Sequence, residues 1–589
     1  MNPGAAAGRR RPSPAVIVAL AAAPAAILLR LPFAAERLWD HDSVQFALAV
    51  ADFDLAAHTP HPPGYPLYVG ALKLLAAAGV SPLVGMVGLS ILFQAFGAAL
   101  VARVAARLAG ERQGRPEALP AALLAAVLYL TNPLVWFYGE LPLVYGVEAG
   151  LSVLLAWAAL AMGDGRGRFL AACALFGLAG GIRPSTLVLL SPLFVAGLAR
   201  VWWAGRRPAW VGERASSRAA SATAGKVAGE APARPSSASG PAAHRWRPGF
   251  RDLLAGAAAG VCAVAAWLVP LLAEAGGPAE YRRIGGEHFA ALLPHTSILY
   301  GAGWPALAHN LEVLTKWAVQ GLVPAGATVA ALAVVSPRGV AGGLRLLARR
   351  SAWIAVWGVP AIAFFALFHV TKAGYTLIHL PALLVAAALV GSPALAVRPR
   401  RTAATALVAA ALGAGLFLFG ADRRADQPRW LAAVRHEHNA GAIAAYEDDL
   451  DALLAVLDAQ PAGRALLATI ELSGTGAAGA DGFLYPYHRH LQWYAPGHPV
   501  ALLVPEQSFA LLAPGDRRDF RRTGATLDLP PEVDRVVLVL AAHPGNRLAL
   551  PPSEVLLRTE TFLVLSTPLR EGLRIGPLHL RPARVREAA

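Results

Sequence analysis

Long apolar stretches, separated by short turns rich in arginine, fill the first 420 residues. A run of about 18 to 25 apolar residues is long enough to cross a bilayer as a helix, and this chain carries many such runs. Of its 589 residues, 56% are hydrophobic and only 15% charged, and its mean hydropathy is +0.48. A soluble domain would carry nearer a quarter charged residues. The fold class expected is therefore an α-helical polytopic membrane protein. The formal net charge of +15 would suit a nucleic-acid binder, but the basic residues sit in alternate turns, which is the pattern of cytoplasmic loops, so no nucleic-acid partner is expected. Cys173 and Cys262 both lie inside apolar stretches, leaving no disulfide framework and no CxxC metal site. Richness in Ala, Arg and Gly points to a GC-rich bacterial genome, and so to the bacterial cytoplasmic (inner) membrane.

The apolar runs predict eleven spans, at about 14–33, 82–109, 118–137, 143–162, 169–182, 185–203, 252–273, 311–336, 352–369, 377–396 and 403–420. Arg9, Arg10 and Arg11 precede the first, which reads as a retained span entered from the cytoplasm rather than a cleaved leader. Segments 42–55 and 62–78 read as two short helices lying at the surface or re-entrant. The parity puts the N-terminus inside and the C-terminus outside. The chain then divides into four parts: a membrane module at 1–203 with an outer loop at 34–80, a disordered basic cytoplasmic loop at 204–250, a second membrane module at 251–420, and an extracytoplasmic domain at 421–589. In the last, a helix is expected near 440–458 and strands at Leu466–Leu472, Val500–Val504, Val536–Leu540 and Val555–Ser566, giving a small α/β or α+β fold. Tyr485-Pro486-Tyr487-His488-Arg489 and Gln492-Trp493-Tyr494 suit either a sugar-stacking loop or, as the preferred reading, a loop that packs domains together.

The outer loop holds the densest group of acids and histidines beside any span: Glu36, Asp40, Asp42, Asp52 and Asp54, with His41, His58 and His61. Polar groups pinned at a membrane are costly and usually functional. Asp42 at a helix start would be kept ionised by the helix dipole, as a general base or cation ligand requires; Asp42-Ser43 could equally be that helix's N-cap. His61-Pro62-Pro63-Gly64-Tyr65-Pro66 is a rigid corner, either a helix-start bracket or a wall of the site. A divalent cation is left open, with Asp40, Asp42 and His61 as its candidate ligands, although the spacing fits no defined metal motif. Candidate phosphate partners on the outer side are Lys372, Arg183, Arg282 and Arg283, each of which could instead be an interfacial side chain snorkelling to water. Glu140, Tyr145 and Glu148 stand where the third and fourth spans meet. The sequence holds no P-loop, no GxSxG nucleophile and no HExxH pair, so nucleotide-driven transport and serine hydrolysis are unsupported.

Asp42-Ser43 after the first span, succeeded by His61-Pro62-Pro63-Gly64-Tyr65-Pro66-Leu67-Tyr68, resembles the protein O-mannosyltransferase-like membrane family of the GT-C glycosyltransferase superfamily. Trp136-Phe137 through Glu140, Val144-Tyr145, Gly177–Gly181 and Lys372-Ala373-Gly374-Tyr375 add to the resemblance. It covers residues 14–200 well, 250–400 weakly and the C-terminal domain not at all. The resemblance implies transfer of a sugar from a polyprenyl-phosphate donor to an acceptor hydroxyl on a protein or glycan at the outer face, with inversion. Asp42 would deprotonate or orient that hydroxyl, with Asp40 or Glu140 as a second carboxylate. Lys372, with Arg183 or with Arg282 and Arg283, would hold the phosphate. His61, Pro63, Gly64, Tyr65 and Tyr145 would shape the acceptor side, and membrane lipid would deliver the donor. One departure stands out: the family places Glu three residues after the Asp, and here that residue is Gln45. Two other readings remain: a transporter or flippase of a lipid-linked saccharide, and an inactive scaffold.

Overall fold

A computed structural model describes residues 12–203, 246–396, 398–420, 438–470 and, with short gaps, 487–582. Nearly all of the expected tether at 204–250 lies outside the described residues, as do Tyr485 and Pro486. The first apolar run forms α1 (Pro14–Arg30). Before the next long helix come two short ones, α2 (His41–Ala51) and α3 (Pro66–Ala77). Then comes α4 (Pro82–Ala109), opened by the Ser81 hydroxyl accepting from the Val84 amide and closed by Gly110 in the left-handed region.

The third expected span is not one straight helix. It divides into α5 (Ala118–Leu130) and α6 (Pro133–Glu140), bent by 53°. The cause is local: the Asn132 side chain accepts from the amides of Leu134 and Val135, at 3.1 and 3.2 Å, and Pro133 stands at the first helical position. A capping residue and a proline restart a helix rather than continue one. Next come α7 (Val144–Ala161), α8 (Arg166–Ile182) and α9 (Pro184–Trp203).

The second half holds α10 (Phe250–Glu274), α11 (Pro278–Thr296), α12 (Gly303–Val335), α13 (Pro337–Leu367), α14 (Leu380–Leu395) and α15 (Pro399–Leu418). Two stretches between expected spans are helical: α11 occupies most of the stretch between the spans expected at 252–273 and 311–336, and Arg338, Arg345, Arg349 and Arg350, between those expected at 311–336 and 352–369, lie on the first turns of α13. Among the described residues, eight helices are long and apolar enough to cross a membrane, or nine if the bent pair is one span. The remaining two of the eleven expected spans, α8 and α14, are 17 and 16 residues long.

The bundle is built around α4, which packs against α1, α5 and α7. Its contact with α7 is backbone to backbone: a Cβ on Gly150 would collide with the Phe93 carbonyl. Small residues permit that approach where lipid supplies no hydrophobic drive for association. At one end of the bundle Arg107, Arg112 and Arg168 converge on Asp164. The opposite end carries α2, α3 and the C-terminal domain.

That domain is α/β. Helix α16 (Ala440–Asp458) precedes β1 (Ala465–Ile470); α17 (His488–Tyr494) comes after it. Later strands are β2 (Val500–Val504), β3 (Ser508–Leu512), β4 (Arg521–Thr523), β5 (Thr526–Leu529), β6 (Arg535–Ala541), β7 (Glu554–Arg558), β8 (Phe562–Pro568), β9 (Leu573–Ile575) and β10 (Leu578–Pro582). The expected strand 555–566 is instead the hairpin of β7 and β8. The seven-stranded sheet runs β4-β3-β2-β1-β6-β8-β7, with β1 parallel to both neighbours. Alternation sorts its faces: Leu467, Val537 and Val539 pack with Leu450, Leu453 and Leu457 of α16, while Leu466, Val536 and Leu538 pack with Leu527 and Leu580 of the three-stranded sheet β5-β10-β9.

Replacing Gly150 by Val forces α4 and α7 apart. Overpacking of this kind costs about 1–3 kcal/mol. Thermal unfolding of the detergent-purified variant should therefore begin at a lower temperature, and an unchanged midpoint would contradict the close packing.

Candidate active site

The site starts at the N-terminus of α2. Asp40, not Asp42, is its N-cap: Asp40 Oδ1 accepts from the Ser43 amide and Ser43 Oγ accepts from the Asp40 amide, each at 3.2 Å. That reciprocal box needs a short acid and a hydroxyl three residues apart. It leaves Asp42 in the first turn, where the exposed amides and the helix dipole favour its charge. Lys372, from the turn between α13 and α14, reaches both acids. Its Nζ donates to Asp40 Oδ2 at 2.5 Å and to Asp42 Oδ2 at 2.7 Å. The chain thus brings residues 330 positions apart into one cluster.

Gln45, one turn further along α2, ties the histidines together. With the amide oriented as in the structure, Oε1 accepts from His61 Nδ1 at 2.8 Å and Nε2 donates to His41 Nε2 at 3.0 Å. The Tyr65 hydroxyl, 2.9 Å away, then donates to His61 Nε2. A glutamate at position 45 would put a third carboxylate between His41 and His61; the amide bridges two neutral imidazoles without adding charge. The signal was present in the sequence, since His41 and Gln45 stand at the i, i+4 spacing of helix neighbours.

The corner at His61–Pro66 is built from unusual backbone. His58 and Tyr65 both have positive φ, 57° and 52°, a conformation uncommon for residues other than glycine and often found at functional sites. Gly64 has φ 111°, and a Cβ there would meet Leu271 at 2.8 Å and Leu55 at 3.1 Å. Tyr281 on α11 donates to the Pro63 carbonyl at 3.1 Å, so α11 closes the site from the side. The ring of His288, also on α11, lies 5.4 Å from His58 and 6.5 Å from His61.

The turn after Lys372 holds that side chain in place. Gly374 lies against the ring of Tyr145, which a Cβ would meet at 2.5 to 2.9 Å. Tyr145 and Tyr375 flank the Arg183 guanidinium at 5.4 and 4.9 Å. Arg183 pairs with Glu148 at 2.6 Å, and Thr186 donates to the other Glu148 oxygen at 2.6 Å. Glu148 is therefore paired deep in the bundle, and Arg183 stands behind the two tyrosines rather than among the acids. Arg282 and Arg283 lie exposed on α11, the latter paired with Glu280 and Glu287. Glu140 is buried at the end of α6; its carbonyl accepts from the Ala35 amide at 3.0 Å, and its carboxylate faces the buried Arg30 guanidinium and Trp136.

Burial opposes the charge on Asp42, but the Lys372 ammonium, together with His61 and His41, outweighs it and holds the carboxyl well below the usual range. Burial, with the neighbouring charge of Asp42, raises Asp40 against the pull of Lys372. Burial also lowers His61 to about 4, His58 to about 3 and His369 to about 4. The cluster at neutral pH is thus an ionised Asp42 at a helix start, an ammonium and neutral imidazoles. A divalent cation does not fit Asp40, Asp42 and His61. The ammonium already lies between the carboxylates, both ring nitrogens of His61 are engaged, and Nδ1 stands 3.9 Å from Asp42. No group of three or more metal-ligating side chains occurs among the described residues.

Comparison with known proteins adds one family. Residues 42–203 match the N-terminal domain of protein O-mannosyl-transferase TMEM260, so the resemblance carried by Asp42-Ser43 and His61–Tyr68 holds over that segment. No curated protein matches the sequence. Two crystal structures of ArnT from Cupriavidus metallidurans, one apo and one bound to undecaprenyl phosphate, align with it at 13% and 14% identity, each covering 94% of this chain and 97% of that chain, with a TM-score of 0.49.

The histidines make acid stability a test of this geometry. In the unfolded chain they titrate near 6.5, well above their folded values, so between those limits the unfolded state binds more protons. Stability should therefore fall as pH drops from 6.5 towards 4. Melting measured in detergent at pH 7 and pH 5 should show the lower midpoint at pH 5; equal midpoints would contradict burial of neutral His58, His61 and His369.

Proposed function

We propose that this chain, whose residues 42–203 match the N-terminal domain of protein O-mannosyl-transferase TMEM260, is a membrane glycosyltransferase that takes its sugar from a polyprenyl-phosphate donor. The observation that carries the reading is the ionised Asp42 carboxylate, aimed from a helix start at an ammonium beside a rigid proline corner. In the reaction the acceptor hydroxyl oxygen attacks the anomeric carbon while Asp42 takes its proton. The bond from that carbon to the phosphate oxygen breaks, its electron pair leaves with the polyprenyl phosphate, and the configuration inverts. Phosphate is a workable leaving group, so the protein's task is positioning and charge neutralisation.

Lys372 is the cation for the donor phosphate in this proposal. The two acids outnumber it, so a phosphate entering the cluster needs more positive charge. Arg282 on the exposed rim of α11 supplies it, close to the corner that Tyr281 holds. Arg183 acts indirectly, by fixing Tyr375 and so the turn that carries Lys372. The end of the bundle bearing this cluster is assigned to the extracytoplasmic side. Support comes from the opposite end, where Arg107, Arg112 and Arg168 gather, because excess arginine marks cytoplasmic ends.

Purified protein supplied with a labelled polyprenyl-phosphate hexose and a membrane-protein or glycan acceptor should move the label. Asp42→Asn should slow transfer about 100-fold or more, the range for loss of a general base. Lys372→Met should chiefly raise the donor KM. Equal transfer by Asp42→Asn would remove that carboxylate from the chemistry. Movement of intact donor across sealed vesicles without transfer would favour a transporter.

A further inference from the structure

The segment that carries the chain from α1 to the carboxylates, residues 34–39, belongs to no helix or strand. Its backbone amides must still find acceptors, because a buried unpaired N–H is costly. Ala35 uses the Glu140 carbonyl in the bundle. The next three amides all turn to side chains of the C-terminal domain. Glu447 Oε1, on α16, accepts from Glu36 at 2.6 Å and from Arg37 at 3.1 Å. The Tyr494 hydroxyl, at the end of α17, accepts from Leu38 at 3.0 Å. Two residues later comes Asp40, and four later Asp42.

The same domain also meets the start of α2 and the loop that follows it. Arg489 on α17 donates to the Ala57 carbonyl, and the ring of His488 lies 5.0 Å from that of His41. Trp39 is packed between Tyr446 of α16, at 4.5 Å, and Phe137 of α6, at 5.4 Å. The carboxylate helix is thus gripped at both flanks by a domain whose sequence lies some 400 residues away.

We infer that the C-terminal domain is part of the catalytic apparatus, with Glu447 and Tyr494 as positioning residues that set Asp40 and Asp42 against Lys372. The inference rests on the transferase reading. Neither residue touches the reacting atoms. They act through three consecutive amides, which fix the path and register of the loop. Glu447 is the stronger of the two, because one carboxylate oxygen holds two adjacent N–H groups. Its loss frees the loop by a distance that matters, since a misplacement of about 1 Å costs on the order of 100-fold in rate.

The test uses the full-length protein in lipid nanodiscs with three variants: Glu447→Ala, Glu447→Gln and Tyr494→Phe. Amide hydrogen exchange is read over residues 35–40, and sugar transfer is measured in parallel. Glu447→Ala should speed exchange at Glu36 and Arg37 and lower kcat at least tenfold, with donor KM within about twofold and the melting midpoint little moved. Glu447→Gln keeps an acceptor oxygen and should recover most of the rate; Tyr494→Phe should speed exchange at Leu38 with a smaller loss of kcat. Unchanged exchange in Glu447→Ala would overturn the inference, and so would faster exchange with an unchanged kcat. Should the unaltered protein transfer no sugar from any donor offered, the transferase reading fails and the inference with it. That outcome differs from the others in being seen before any variant is compared.

Discussion

One ammonium between two carboxylates organises the functional end of this molecule. Lys372 reaches Asp40 and Asp42 from a turn more than three hundred residues away, and almost every neighbouring feature serves that meeting. Asp40 spends one oxygen on capping α2 and the other on Lys372. Asp42 is left in the first turn, kept charged by the ammonium and by the helix end. Two acids sharing one base is an arrangement with charge left over, and such an excess persists in a buried place only when surrounding structure enforces it. The enforcing parts are the Ser43 box, the Gln45 bridge and the packing of Gly374 on Tyr145.

The membrane bundle contributes through its own buried ions. Arg183 and Glu148 would each be costly alone in a helical interior, and together with Thr186 they satisfy one another. The gain is geometric. Arg183 fixes the two tyrosines, and the tyrosines fix the turn after Lys372. At the other face of the site the C-terminal domain takes up amides that the bundle leaves unpaired. Membrane and soluble parts therefore meet at the carboxylate loop, and neither part alone supplies all its partners.

Much of this was legible in the sequence, and the exceptions have physical causes. Hydropathy located α4 and α9 almost to the residue, because apolar length and flanking prolines mark helix ends strongly. It merged α5 with α6, although Thr131-Asn132-Pro133 is a cap leading into a first-turn proline; apolar content outweighed that local chemistry. The outer-loop acids were visible as a group, yet the N-cap fell on Asp40 because Ser43 pairs three residues back, not with its neighbour. Lys372 stood among the candidate phosphate partners. Its direct contact with both acids could not be read from sequence, since nothing in the intervening residues encodes a through-space distance. Arg183 looked like a phosphate partner, but the structure seats it on Glu148, a carboxylate whose burial is costly unless paired. Tyr494 stood in the Gln492-Trp493-Tyr494 stretch read as packing domains together, and its bond to the Leu38 amide agrees with that; Glu447 carried no local signal, because an acid on a surface helix looks ordinary until the loop it holds is folded against it.

The central claim is that Lys372 is coupled to Asp42 energetically and not merely adjacent to it. A double-mutant cycle on thermodynamic stability, with Lys372→Met, Asp42→Asn and the pair, measures this directly in detergent-solubilised protein. Lys372→Met should cost more when Asp42 is present than when it is Asn, by roughly 1–3 kcal/mol, as for contacting residues in one network. Effects that simply add would contradict the account.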